Sequence, residues 1–298
     1  MRFVTFRRDR NARLGLLAGE QVIDLNSADA DLPSNMLGFL EAGAPALERA
    51  AAVHQRWAEG QLASETAFPL AGLPLLAPIP DPAKVVAVGA NYWDHCRECN
   101  LDPPEKPILF AKFPTSVIGP GQAIEWDPDL TTKVDYEAEL AIVIGQRARA
   151  VPRAKAFDVI FGYTCGNDVS ARDLQLGDGQ WVRGKSLDTF CPLGPALVTR
   201  DEVPDPDKLA VACRVNGTTF QDSTTAEMIF DIPTLIEFIT QAFTLLPGDV
   251  ILTGTPHGTG GFREPNIFLG DGDTVEVEIK GLGVLRNPCR ETPVMRSV

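Results

Sequence analysis

The chain has 298 residues, 44% of them hydrophobic and 22% charged, with a net charge of −13. That length buries a substantial core, as one large domain or two smaller ones, and the composition is that of an ordinary globular protein. The acidic balance argues against a nucleic-acid or anionic-membrane surface, but not against an anionic substrate, because a bound metal and a few local cations reverse the field inside one pocket.

At the start, Met1 to Arg8 meets charge too soon for a signal-peptide core. No apolar run approaches the roughly 18 residues of a spanning helix, so a cytoplasmic address is expected. Phe3 to Phe6, Leu14 to Leu17 and Gln21 to Leu25 read as short strands around a turn at Gly19. Residues 45–58 are Ala-rich and amphipathic, hence helical, with His54 as a surface or packing residue. A proline-punctuated stretch from Leu73 to Pro82 reads as an extended linker. These features predict a small N-terminal α+β domain over 1–72, a linker over 73–83 and a main domain over 84–298. In the main domain, strands are expected at 84–88, 108–112, 140–144, 196–199, 209–215, 250–253 and 274–279. One clear helix follows over 233–243, with Pro233 in its first turn. Strands dominate with few helices, which predicts a mixed sheet rather than a βαβ repeat.

Within 134–145, VDYEAELAIVIG, two carboxylates interrupt an apolar strand. Side chains two apart share a face, roughly 7 Å apart at the backbone, so Glu137 and Glu139 would repel and lose hydration without a cation. A hard divalent ion, Mg²⁺, Mn²⁺ or Ca²⁺, is the simplest compensation; the alternative is a half-solvated strand with an acidic outer face. His95 and Glu98 lie three apart and share a face if that segment is helical, the arrangement of an oriented general base or of an ordinary surface contact. Asp168 offers a third carboxylate or a helix cap, and Arg172 a planar fork for an organic acid. Lys185, preceded by Gly184, can approach a ligand or simply occupy a loop. The Gly248 to Gly258 segment is a plausible anion cradle, although glycines in turns are often only turn formers.

Six cysteines are spread along the chain, and Cys96 and Cys99 form a lone C-x-x-C. A structural zinc site would need a second such pair or a His pair, so reduced, mostly structural thiols are expected. Phosphate-loop, zincin and nucleophile-elbow motifs are absent from the sequence, and three histidines, at 54, 95 and 257, make a His-rich zinc site a poor fit.

Six ordered segments resemble the fumarylacetoacetate hydrolase family: GANYWDH at 89–95, VDYEAELAIVIG at 134–145, NDVSARD at 167–173, GKSLDTFCPLGP at 184–195, GDVILTGTP at 248–256 and GDTVEVEIKGLGVLRN at 272–287. The resemblance implies a mixed β-sandwich roll with a divalent-metal site, preceded by a smaller domain, in a homodimer. It implies Glu137, Glu139 and Asp168 as metal ligands, His95 and Glu98 as a dyad on a mobile lid, and Lys185 as the pocket lysine. Arg172, Gln175 and Thr255 match substrate-facing positions. The 184–195 segment is most similar to the branch acting on oxaloacetate. Ala90, Trp93 and the turn at His257 and Thr259-Gly260-Gly261 depart from the family pattern, at positions that should shape the pocket.

The expected function is that of a Mg²⁺- or Mn²⁺-dependent enzyme acting on a 2-oxo or diketo acid through a metal-bound enolate. Hydrolysis of a C–C bond in an acylpyruvate ranks first, because the His95–Glu98 dyad could activate water. Oxaloacetate decarboxylation or tautomerisation ranks next, and hydroxymuconate-type isomerisation third. A catalytically silent protein that binds metal and a 2-oxo acid is the alternative from another class.

Overall fold

Strand Ala138–Ile144 is buried along its whole length, as its apolar run Leu140 to Ile144 requires when both faces are covered. In the computed structural model, which describes residues 1–293, this strand lies inside a 12-stranded sheet. Its neighbours are Ile160–Asn167 and Val250–Leu252, both antiparallel, and Val250–Leu252 runs parallel to Val85–Gly89. The sheet is therefore mixed, as expected.

Alternation along Ala138–Ile144 sends its side chains into two cores. Leu140, Ile142 and Ile144 enter the main one with Val211, Val277 and Leu285 of a second, five-stranded sheet. Ala141 and Val143 enter the other with Phe3, Phe39 and Leu193. In the second sheet, Thr274–Ile279 buries every other residue, Val275, Val277 and Ile279, and forms a hairpin with Gly283–Glu291 around Gly281.

The N-terminal strands extend the large sheet. Arg2–Arg8 pairs with Asn11–Ala18 on one side and with Cys191–Thr199 on the other, and Leu75–Leu76, within the proline-rich stretch, pairs with Thr5 and Phe6. Helix Ala44–Ala58 buries Ala46, Ala50 and Val53, one stripe at helical spacing. Helix Ile232–Ala242 starts at Asp231, whose side chain accepts from the Thr234 N–H, with Pro233 in the first turn. Among the described residues no helix is long and apolar enough to cross a membrane.

One central strand, Ile160–Asn167, has no counterpart among the expected elements. Its Gly162 and Gly166 weaken the strand signal, and both are required by close approach. A Cβ on Gly162 would lie 2.1 Å from Val198 O, and one on Gly166 2.6 Å from Leu252 Cδ2.

Candidate metal centre

The acidic segment is not one strand. Val134–Asp135 pairs with Ser170–Ala171 in a separate ribbon, Ala138–Ile144 joins the large sheet, and residues 136–137 between them belong to neither. At that crossing the Glu137 N–H donates to Asn167 Oδ1 (3.0 Å), and the Glu137 carbonyl accepts from the Asp168 N–H (3.0 Å). These two bonds hold the 167–168 corner against residue 137. Carboxylate oxygens of Glu137, Glu139 and Asp168 consequently fall within 4.8 Å of one another, all three residues being buried.

The charges around the trio do not cancel. Lys185 Nζ donates to Glu137 Oε2 and Asp168 Oδ2, both at 2.8 Å. Lys112 Nζ donates to Asp168 Oδ1 (2.5 Å) and to the carbonyls of Val169 and Lys185. Arg172 Nε donates to Asp135 Oδ2 (2.7 Å), and its Nη2 lies 2.7 Å from Glu137 Oε1. Four buried carboxyl groups, Asp135, Glu137, Glu139 and Asp168, thus face three buried cations, which leaves one of them, Glu139, without a cation of its own. Burial, then the Asp168 and Glu137 charges, push its carboxyl well above the usual range, and its hydrogen bond is from the Gly254 N–H (2.8 Å). Burial also opposes ionisation of Glu137, but Lys185 and Arg172 outweigh it and hold that group near 2. A buried oxygen-donor set with one more carboxyl group than cations fits a hard dication.

Beside the trio, the segment holding His95 is helical, Trp93–Glu98, so His95 and Glu98 do share a face. His95 Nδ1 lies 3.4 Å from Glu98 Oε2, and both Glu98 oxygens accept from the Gly258 N–H at 2.9 and 3.0 Å. Phe262 stacks edge-on against His95 and lies under the Arg172 guanidinium.

The remaining expected residues are also buried here, with several of their polar atoms already engaged. Arg172 donates through Nε to Asp135 and through Nη1 to Gln175 Oε1 (2.9 Å), while Nη2 is within ion-pair reach of Glu137 but makes no hydrogen bond. Thr255 donates to Ala138 O (3.0 Å) and accepts from Gln221 Nε2 (2.8 Å). Among the departures from the family pattern, Ala90 adopts φ 50° and Trp93 is exposed.

Sequence reasoning missed Lys112, Asp135 and Asn167. Lys112 is a charged residue ending an apolar strand, Ile108–Lys112, which is the one signal that could have marked it. Asp135 is fully buried and accepts from the Gly260 N–H (2.7 Å), the Gly261 N–H (2.9 Å) and Arg172, so it ties the 258–262 loop to the site.

The family profile described as fumarylacetoacetate (FAA) hydrolase C-terminal matches residues 84–290. The chain belongs to the fumarylacetoacetate hydrolase family. It is 46% identical over 293 residues to oxaloacetate tautomerase FAHD2A, mitochondrial, of Bos taurus, covering 96% of this chain and 91% of that protein. The fumarylacetoacetate hydrolase structure from psychrophilic Exiguobacterium antarcticum superposes with a TM-score of 0.84 at 38% identity, covering 98% of this chain and 100% of that one. Maleylpyruvate hydrolase from Sphingobium sp. SYK-6, in complex with manganese(II) and pyruvate, superposes with a TM-score of 0.79 at 30% identity, covering 98% and 99%. Against that background, the oxygen-donor cluster Glu137–Glu139–Asp168, one of two among the described residues able to hold a metal ion, is consistent with Mg²⁺ or Mn²⁺ as cofactor.

One expectation is corrected. The cytoplasmic address does not stand, because six relatives at 44–46% identity are all named mitochondrial. Charge and composition report on the folded surface, whereas an organelle address is read by import machinery and leaves no trace in the core.

Proposed function

We propose that the protein is a Mg²⁺- or Mn²⁺-dependent enzyme that interconverts the enol and keto forms of oxaloacetate. The observation that carries this reading is its near-full-length identity of 46% to a protein named oxaloacetate tautomerase, joined to a buried trio able to take a dication. This reverses the expected ranking, in which C–C hydrolysis came first on the strength of the dyad. A histidine oriented by a carboxylate serves proton transfer to carbon as readily as to water, so the dyad does not favour hydrolysis.

Glu137, Glu139 and Asp168 would hold the ion, which when bound polarises the 2-oxo group as a Lewis acid. His95 moves the proton at C3 of the substrate, with the enol oxygen losing its own proton as C3 gains one. Glu98, fixed by the Gly258 N–H, orients the imidazole. Lys185 holds Glu137 and Asp168 in place and offsets part of their charge. Gln175, Thr255 and Arg172 shape the substrate side of the pocket, Arg172 by sharing its fork with Asp135 and Glu137. The homodimer implied by the resemblance is part of the proposal. Strand Ile108–Lys112 ends the large sheet, with Ile108 and Phe113 exposed beside it, and light scattering in solution tests it.

The deciding experiment follows decay of enol-oxaloacetate absorbance with Mg²⁺ or Mn²⁺ and then with chelator, beside acetylpyruvate and fumarylpyruvate. Metal-dependent enol decay without CO₂ release supports tautomerisation. Acetate plus pyruvate from acetylpyruvate would restore hydrolysis, CO₂ from oxaloacetate would indicate decarboxylation, and inertness toward all three despite metal binding would indicate a silent binding protein.

A further inference from the structure

Two cations flank Glu137, Lys185 at Oε2 and Arg172 at Oε1, and each lies against an aromatic ring. Lys185 Nζ is 5.3 Å from the centre of the Phe110 ring, and the guanidinium carbon of Arg172 is 5.1 Å from that of Phe262. Phe262 also meets the dyad: its ring centre is 5.5 Å from that of His95, with the two planes at 81°. One side chain thus touches both the imidazole and the guanidinium. Phe262 is 37% exposed, against 8% for His95 and 4% for Arg172, which puts it at the rim of the site rather than inside the core.

The backbone fixes that ring. The Gly260 and Gly261 N–H groups donate to Asp135, which also accepts from Arg172 Nε. The Gly260 carbonyl accepts from the Ile267 N–H (3.0 Å), and the Gly261 carbonyl from Asn266 Nδ2 (2.7 Å). At residue 261 the approach is close enough that a Cβ would lie 3.0 Å from Asp135 Oδ2 and 3.1 Å from Arg172 Cγ. Loop and guanidinium are therefore built on the same carboxylate, and the ring of Phe262 stands as a wall beside both.

If His95 moves the proton at C3 of the substrate, a ring in contact with His95 meets whatever C3 carries. In oxaloacetate that group is a carboxylate, and Arg172 Nη2 is a buried donor without a hydrogen-bond partner. We propose that Phe262 is the specificity-determining residue of this site: it confines the substituent on C3 to the size of a carboxylate and excludes 2-oxo acids that carry a ring there. A wall of this kind discriminates by size, because a larger substituent has to displace a packed side chain. The proposal rests on the reading of His95 as the group that acts at C3.

The test compares enol-oxaloacetate with enol-phenylpyruvate, a 2-oxo acid with a phenyl group on C3, using the Mg²⁺-loaded protein. The reaction is the same for both: the enol oxygen loses a proton and C3 gains one. Wild type should favour oxaloacetate. Phe262→Ala removes a ring the size of that phenyl group and should shift the ratio of kcat/KM values toward phenylpyruvate about 100-fold, whereas Phe262→Tyr, which keeps the ring, keeps the wild-type ratio. A merely structural role would lower both substrates together and leave the ratio alone. Calorimetric binding of the two acids to the same proteins reads the selectivity without turnover. The rate ratio decides where turnover is present and the affinity ratio where it is absent; a ratio unchanged in Phe262→Ala overturns the assignment. A wild type inert toward both enols, whose affinity ratio still shifts in Phe262→Ala, upholds Phe262 and removes the reading of the reaction.

Discussion

Replacing Glu139 by Gln should make the metal-free protein more stable and the metal site weaker. Lys185 bonds Glu137 and Asp168, and Lys112 bonds Asp168, whereas Glu139 accepts from the Gly254 N–H and faces two like charges. Gln has the same shape, keeps an acceptor for that N–H, and offers its own N–H groups to the neighbouring carboxylates. In chelator the expected gain is about 1–2 kcal/mol, the size of a typical stability–function trade-off. That corresponds to a rise of about 2–5 °C in Tm for a chain of this size. The pH dependence has a definite sign. Burial, Asp168 and Glu137 raise the Glu139 carboxyl above its unfolded value near 4.5, so the folded chain retains a proton that the unfolded chain releases. Metal-free wild type therefore loses stability as pH rises from 4.5 toward the raised value. The advantage of Glu139→Gln should vanish below that window and grow across it. Calorimetry in chelator at several pH values, repeated with Mg²⁺, reads both effects: Mg²⁺ raises the wild-type Tm, and the variant loses about tenfold or more in affinity. A variant that melts below wild type in chelator at pH 8, or an advantage that does not change with pH, would refute the charge accounting.

Lys112→Met should cost about 3–5 kcal/mol in urea unfolding, because it removes a buried cation and leaves Asp168 Oδ1 and the Lys185 carbonyl without that donor; a loss below 1 kcal/mol would show the ammonium to be dispensable. His95→Ala should lower enol–keto turnover about 100-fold or more while Mg²⁺ affinity, measured by calorimetry, stays unchanged. Wild-type turnover in that variant would remove His95 from the chemistry. Gly260→Ala would put a Cβ 1.7 Å from Ile267 O and 2.9 Å from Asp135 Oδ1. Its expected cost is about 1–3 kcal/mol in stability together with a raised KM, as the loop pulls away from Asp135 and releases Arg172; an unchanged KM would argue that this loop does not position the guanidinium.

Short-range periodicity accounts for what was legible in the chain. The helices expected at 45–58 and 233–243 appear as Ala44–Ala58 and Ile232–Ala242, because each pairs an apolar stripe with a proline in the first turn. The strand at 274–279 was legible from strict alternation, whereas Ile160–Asn167 was hidden by glycines whose reason lies in neighbouring strands. Glu137 and Glu139 stood out because charge inside an apolar run is conspicuous. Lys112 did not, since a single lysine at the end of a strand looks like any solvated terminus.

By itself, then, the sequence determined the strand-rich mixed architecture, the acidic pair and the family, all of which rest on neighbours along the chain or on ordered motifs. Only the tertiary structure decided that a break at residues 136–137 brings Asp168 to the pair, that Lys112 spans 56 residues to reach Asp168, and that Arg172 is already tied to Asp135 and Gln175. The physical reason is that charge compensation inside a core depends on sheet register and on backbone donors at turns, which connect residues far apart in the chain and leave no local periodic mark.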